Sequence, residues 1–148
     1  MRALRLLRSL SSAPVSGRDA EETGASEMTT TTAVSMDTAR VIDEFNDALN
    51  RHDVDAVMAL MTEDCVFENT SPGPDGERFV GQRAIRAFWV QMLANSPLAR
   101  FDAEEIIVCA DRCTVQWRYS WGEGHIRGID LFRVRDGKVA EKFAYVKG

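Results

Sequence analysis

The stretch Gly128 to Val139 constrains the fold of this chain more than any other. Ile129-Asp130-Leu131-Phe132-Arg133-Val134-Arg135 reads as a strand, Asp136-Gly137 follows, and Lys138-Val139 begins a return. An Asp-Gly pair between two such runs supplies the left-handed residues that a tight hairpin turn needs. Side chains alternate along a strand, so Asp130, Phe132 and Val134 share one face. Two of the three are apolar, which predicts a buried face with an acid set into it. A buried carboxylate must find a partner or keep its proton. Either outcome makes Asp130 a candidate for chemistry.

Upstream, the pattern is helical from Asp37, the expected N-cap. Val41, Ile42, Phe45, Ala48 and Leu49 recur at spacings of three and four and form one apolar stripe. Asn50-Arg51-His52-Asp53 breaks the run, with His52 complementing the helix dipole. Asp53 is placed to cap a short second helix through Val54, Val57, Met58 and Met61. Cys65 to Glu68 reads as a strand. Ser71-Pro72-Gly73-Pro74-Asp75-Gly76 must be a loop. A third helix follows Gly81, with Ile85, Phe88, Trp89, Met92 and Leu93 on one side and Pro97 beyond its end. Strands are expected at 101–109, 113–121, 126–135 and 138–146. Helices followed by antiparallel strands predict an α+β fold, a cone-shaped curved sheet packed against three helices. Such a cone leaves a cavity, the natural place for a ligand.

Residues 1–36 differ from the rest. Met1 to Arg18 holds four arginines and no acid, and a Ser/Thr-rich stretch follows. This composition buries little apolar surface and predicts a disordered extension, leaving one domain at 37–148. The segment reads either as an organellar presequence or as upstream sequence ahead of a working start at Met28 or Met36. A net charge of −5 argues against nucleic acid or an anionic membrane as a partner. Three cysteines, Cys65, Cys109 and Cys113, form no CxxC pair and suit a reducing compartment, hence a cytoplasmic expectation, organellar if the presequence is genuine. A Cys109–Cys113 disulfide across a turn is conceivable.

Four segments together resemble a known family. They are Asn50-Arg51-His52-Asp53-Val54-Asp55-Ala56, Met61 to Asn69, Gly81 to Trp89, and Ile129 to Val139. In this order they look like a SnoaL-like domain of the nuclear transport factor 2-like superfamily, over Asp37 to Val146. The resemblance implies a cone-shaped α+β roll (the ketosteroid isomerase-like or cystatin-like fold), commonly a homodimer through the sheet, with no obligatory metal or cofactor. It does not imply one function, because the fold hosts isomerases, cyclases, hydrolases and adaptors. Ketosteroid isomerases of this fold use an aspartate base, a tyrosine and a neutral aspartic acid. By motif position these fall on Asn69, Phe45 and Asp130, so only the last is kept. The Asp-Arg-Asp set of limonene epoxide hydrolases would fall on Ser120, Arg118 and Ala144, and lacks both acids.

The remaining candidates each carry a plain reading beside the chemical one. Asp130 could donate to an oxyanion or act as base, or form a buried ion pair with Lys142, expected opposite it if the turn is three residues long, or with an arginine such as Arg127. Asn69 could orient a carbonyl or cap the loop at Ser71. Tyr119 alternates with Trp117 and Trp121, a stripe that suits either sheet packing or a pocket wall with polar handles. Phe45, Phe67, Phe88, Trp89, Met92, Trp117, Trp121 and Phe132 are the expected wall. His125 lies in a Gly-rich connection where solvation is the ordinary state. Two distant histidines predict no transition-metal site. The expectation is a hydrophobic small-molecule binder, with acid/base isomerase, cyclase or lyase chemistry as its enzymatic form. The alternative is a non-catalytic dimeric ligand-binding or adaptor module.

Overall fold

The computed structural model describes the backbone of residues 18–148 and side chains from residue 26 onward. The arginine-rich presequence reading therefore lies outside the described residues, but for Arg18. Helix α1 runs Arg18–Asn50, α2 Val54–Ala59 and α3 Gln82–Asn95. The strands are β1 Met61–Glu68, β2 Arg78–Val80, β3 Arg100–Cys109, β4 Arg112–Ser120, β5 His125–Arg135 and β6 Lys138–Val146. They form one curved, unclosed sheet in the order β2-β1-β6-β5-β4-β3. The α+β cone is thus as expected. One pairing is not antiparallel: β1 lies parallel to β6. Helix α3 and the β3-β4-β5 meander supply the long crossover that a parallel pair requires. The three-residue β2 is too short to show a period in sequence.

The apolar stripe of α1 forms as predicted, with Val41, Ile42, Phe45, Ala48 and Leu49 all buried. Each such large side chain contributes about 1.5–3 kcal/mol. Asp37, however, is not the N-cap. It lies inside α1, where Arg40 bonds both Asp37 (2.7 Å) and Glu44 (2.8 Å) one turn either way. The helix continues upstream through residues expected to be without structure, and from Ser26 to Asp37 nearly all are exposed. Thr30 and Thr32 there donate back to the carbonyls of Ser26 and Met28, bonds compatible with a helix that packs against nothing.

At its other end α1 closes with His52 in the left-handed region (φ 56°). Asp53 N–H donates to Ala48 O and His52 N–H to Leu49 O, the paired bonds of a Schellman motif. His52 Nε2 also contacts Ala99 O at 2.9 Å. Asp53 caps α2 by accepting from Ala56 N–H at 3.0 Å. Met61 starts β1 instead of ending α2, but is buried in either case. Cys109 and Cys113 are both free. Cys109 is exposed and Cys113 buried, on opposite faces of the β3-β4 hairpin, so no disulfide joins them.

The β5-β6 hairpin is tighter than a three-residue turn. Arg135 pairs with Lys138, leaving Asp136 (φ 53°) and Gly137 (φ 69°) as a two-residue loop, both left-handed. Simple alternation along β6 would then bring Val139, Glu141 and Phe143 inward. The ladder instead steps from Val134↔Val139 to Arg133↔Glu141, leaving Ala140 as the extra residue of a β-bulge. Val139 and Ala140 are both buried, and beyond the bulge Lys142 takes the inner position. A one-residue shift of parity thus puts Lys142 in the inner position opposite Phe132, where Glu141 would have stood.

Candidate functional site

On β5 the inner positions are Gly128, Asp130, Phe132 and Val134, all buried. Gly128 is needed for space, because a Cβ there would stand 2.3 Å from the Trp117 ring on β4. Asp130 is 5 % exposed and Lys142 4 %. They are diagonal across the hairpin, since Asp130 faces Ala144 and Lys142 faces Phe132. The lysine is long enough to close that offset: Nζ reaches Asp130 Oδ2 at 2.7 Å. The carboxylate has found the basic partner that its burial demanded, though one residue pair away from directly opposite.

The ammonium is also ringed by aromatic faces. Nζ lies 4.9 Å from the centroid of Phe67, 5.6 Å from Phe132 and 5.9 Å from Trp89, within cation-π range. Burying two charges costs several kcal/mol per ion, offset only where geometry and further bonds are good. Here one half of the carboxylate stays unused: Asp130 Oδ1 is buried without a hydrogen-bond partner.

Beside the pair is a cavity of about 110 Å³. The expected residues Phe67, Phe88, Trp89, Met92 and Trp117 line it, together with Asp130 and Tyr119. Phe45 and Phe132 do not. They pack edge to face with each other at 5.7 Å in the core, since both sit where α1 meets the sheet. Trp121 is also outside the wall, 40 % exposed just past the end of β4, with its ring tilted 38° against that of Tyr119. Thr70, Phe101, Ile126, Lys142 and Ala144 complete the lining. Phe101 could have been found from its place opposite Tyr119. Lys142, already named as a possible partner of Asp130, arrives there through the bulge and not through the three-residue turn that reading assumed.

Asn69 does not join Asp130. Its Oδ1 accepts from Ser71 N–H (3.1 Å) and Glu77 N–H (2.8 Å), so it closes the loop after β1. It lines an outer recess of about 450 Å³ whose walls share Thr70 and Ala144 with the inner cavity. Tyr119 shares the cavity wall but lies four residues along β4 from Val115, the residue opposite Asp130. That is about 13 Å along the strand, beyond direct contact with the carboxylate. Arg118 and His125 meet at 3.3 Å in an exposed position, and Arg127 bonds Glu104, not Asp130. Among the described residues no three His, Cys, Asp or Glu side chains cluster as metal ligands would. Nor, among the described residues, is any helix long and apolar enough to cross a membrane.

The site is therefore one buried ion pair, an aromatic wall and unpaired polar atoms. The pair offers an acceptor oxygen beside a cation, which suits binding a polar group or moving a proton. Residues 42–142 match the model of the SnoaL-like domain. A nuclear transport factor 2-like protein of unknown function from Mesorhizobium loti is similar at 43 % identity, over 77 % of this chain and 93 % of that one, with a TM-score of 0.69. A protein from Kribbella flavida provisionally named a ketosteroid isomerase shares the fold at 18 % identity, over 77 % and 80 % of the two chains (TM-score 0.67). So does one from Sinorhizobium meliloti provisionally named a polyketide cyclase, at 24 % identity over 75 % and 98 % (TM-score 0.64). No curated protein matches significantly. With the family model covering most of the chain and the cone built as that family builds it, this protein belongs to the SnoaL-like domain family.

Proposed function

We propose that this protein binds an oxygen-bearing apolar small molecule in the aromatic cup around Asp130 and Lys142. One observation carries the reading: an apolar cavity has Asp130 among its lining residues, and the Oδ1 of that carboxylate is buried with no partner. A buried polar atom without a bond costs about 1–3 kcal/mol, so the site is completed by something that enters it. The outer recess, sharing Thr70 and Ala144 with the cup, is the entrance. Where turnover follows, Asp130 Oδ1 accepts the proton and Lys142 steadies the negative charge that develops. That chemistry belongs to isomerases, cyclases and lyases.

A second reading rests on the 2.7 Å contact itself. A carboxylate already held by an ammonium can anchor a ligand without ever exchanging its proton, which makes the protein a carrier or adaptor. Ile107, Ile129, Leu131 and Tyr145 on the outer sheet face are exposed, a surface suited to a homodimer through the sheet. Three free thiols suit a reducing compartment such as the cytoplasm.

A thermal-shift screen of hydrophobic alcohols, ketones, epoxides and lactones tests the proposal, since a ligand for the native state raises Tm by mass action. A Tm rise with one of these classes is expected. A flat response across all four refutes the pocket reading. Any stabilising compound is then followed by NMR for conversion, which separates the enzyme from the carrier.

A further inference from the structure

The cup contains more unpaired polar atoms than Asp130 Oδ1. Trp89 Nε1 and Trp117 Nε1 are also buried without a hydrogen-bond partner, and both indoles line the same 110 Å³ cavity. Each of the three residues is at least nine-tenths buried. An indole N–H can only donate, and a carboxylate oxygen can only accept. The residues that line the cavity thus carry two unpaired donors and one unpaired acceptor. A hydroxyl group answers both, donating its proton to the carboxylate while its oxygen accepts from an indole. A ketone, epoxide or lactone answers the indoles alone and leaves Oδ1 unpaired.

Charge narrows the class further. Asp130 and Lys142 sum to zero, and no other charged side chain lines the cavity. An ionic ligand would bring an uncompensated charge into an apolar cup, at a cost its hydrogen bonds do not offset. Size narrows it again. Benzene fills an engineered cavity of about 150 Å³, so 110 Å³ suits roughly a five-membered carbocycle with one substituent.

Resting on the pocket reading above, we infer that the ligand class is a small neutral alcohol, its hydroxyl set between Asp130 Oδ1 and an indole N–H. The hydroxyl is the group recognised, and the ring or chain carrying it fills the aromatic wall.

The test uses the intact wild-type chain with five matched probes: cyclopentanol, cyclopentanone, cyclopentane, cyclopentylammonium and cyclopentanecarboxylate. Binding is read by Tm and by the three indole N–H resonances in ¹⁵N-correlated NMR, with the half-exposed Trp121 as internal control. Cyclopentanol is expected to shift the Trp89 or Trp117 resonance and to bind about ten-fold tighter than the ketone or the hydrocarbon, the weight of a hydrogen bond to a charged group. Both ionic probes are expected to bind no more tightly than the hydrocarbon. Trp89→Phe and Trp117→Phe keep a ring and lose the donor, and one of them should weaken the alcohol while sparing cyclopentane. Equal binding of alcohol and ketone overturns the inference, as does preference for a charged probe. If none of the five binds but a ketone, epoxide or lactone of the broader screen raises Tm and no alcohol does, the alcohol inference fails and the pocket reading survives. If neither set binds, ordered water satisfies these atoms and both readings fail.

Discussion

The Asp130–Lys142 pair yields the sharpest prediction. Asp130→Asn keeps the shape of the side chain and removes its charge, stranding the Lys142 ammonium among Phe67, Phe132 and Trp89. Side-chain exposure is only 5 % for Lys142 and 7 % for Asp130, so solvent screens little of the loss. Removing one partner of a buried pair typically costs about 3–5 kcal/mol, a large share of the 5–15 kcal/mol of a whole domain. Lys142→Met, which strands the carboxylate instead, should cost a similar amount. The double variant Asp130→Asn, Lys142→Met leaves no charge to strand. It forfeits the cation-π contacts, about 1–2 kcal/mol in a desolvated setting, and should otherwise lie close to wild type. Urea unfolding of the four proteins measures this directly, with the midpoint read at constant m-value. The coupling energy should come out at several kcal/mol. Single-variant losses that simply add, or an Asp130→Asn cost below about 1 kcal/mol, would show that the pair is not desolvated as drawn. The double variant also bears on function: folded, but with a neutral amide in place of the carboxylate, it should bind the ligand of the cup more weakly.

Three further outcomes follow from other parts of the molecule. Asn69→Ala removes the acceptor for two loop N–H groups and should cost about 1 kcal/mol in urea unfolding, while ligand affinity in the cup stays unchanged. A loss of binding without loss of stability would return Asn69 to the site. Burial pushes the Cys113 thiol up to about 11 from 9.0. The unfolded chain therefore loses that proton first, so the native state should lose stability progressively between about pH 9 and 11 and not below. Cys113→Ala should flatten that part of the pH profile relative to wild type. In the native protein at pH 8, thiol labelling should reach exposed Cys109 and spare buried Cys65 and Cys113.

What could be read without coordinates was whatever depends on neighbours close in the chain. The three helices with their apolar stripes, the Asp53 cap and the Asp136-Gly137 turn are local in this sense, and so is the burial of Asp130 by strand alternation. Most of the aromatic wall followed from the same period-two and three-to-four rules. The upstream extent of α1 did not, because residues 26–36 bury no apolar side chain and so leave no apolar pattern to read. Asn69 was ambiguous for a related reason: an amide suits a loop cap and a pocket equally, and only the position of Glu77 N–H separates the two.

The partner of the acid was decided by tertiary structure alone. A single extra residue at Ala140 reverses the facing of everything beyond it on β6, and nothing in the local composition marks that step. The parallel seam between β1 and β6, the offset of Phe45 and Phe132 from the cavity and the cup's modest volume are likewise long-range outcomes. They arise from how helices and sheet settle against each other, a balance of packing that no window of sequence contains. Patterning along the chain places an acid inside the cone; the pleat of a distant strand determines what it touches there.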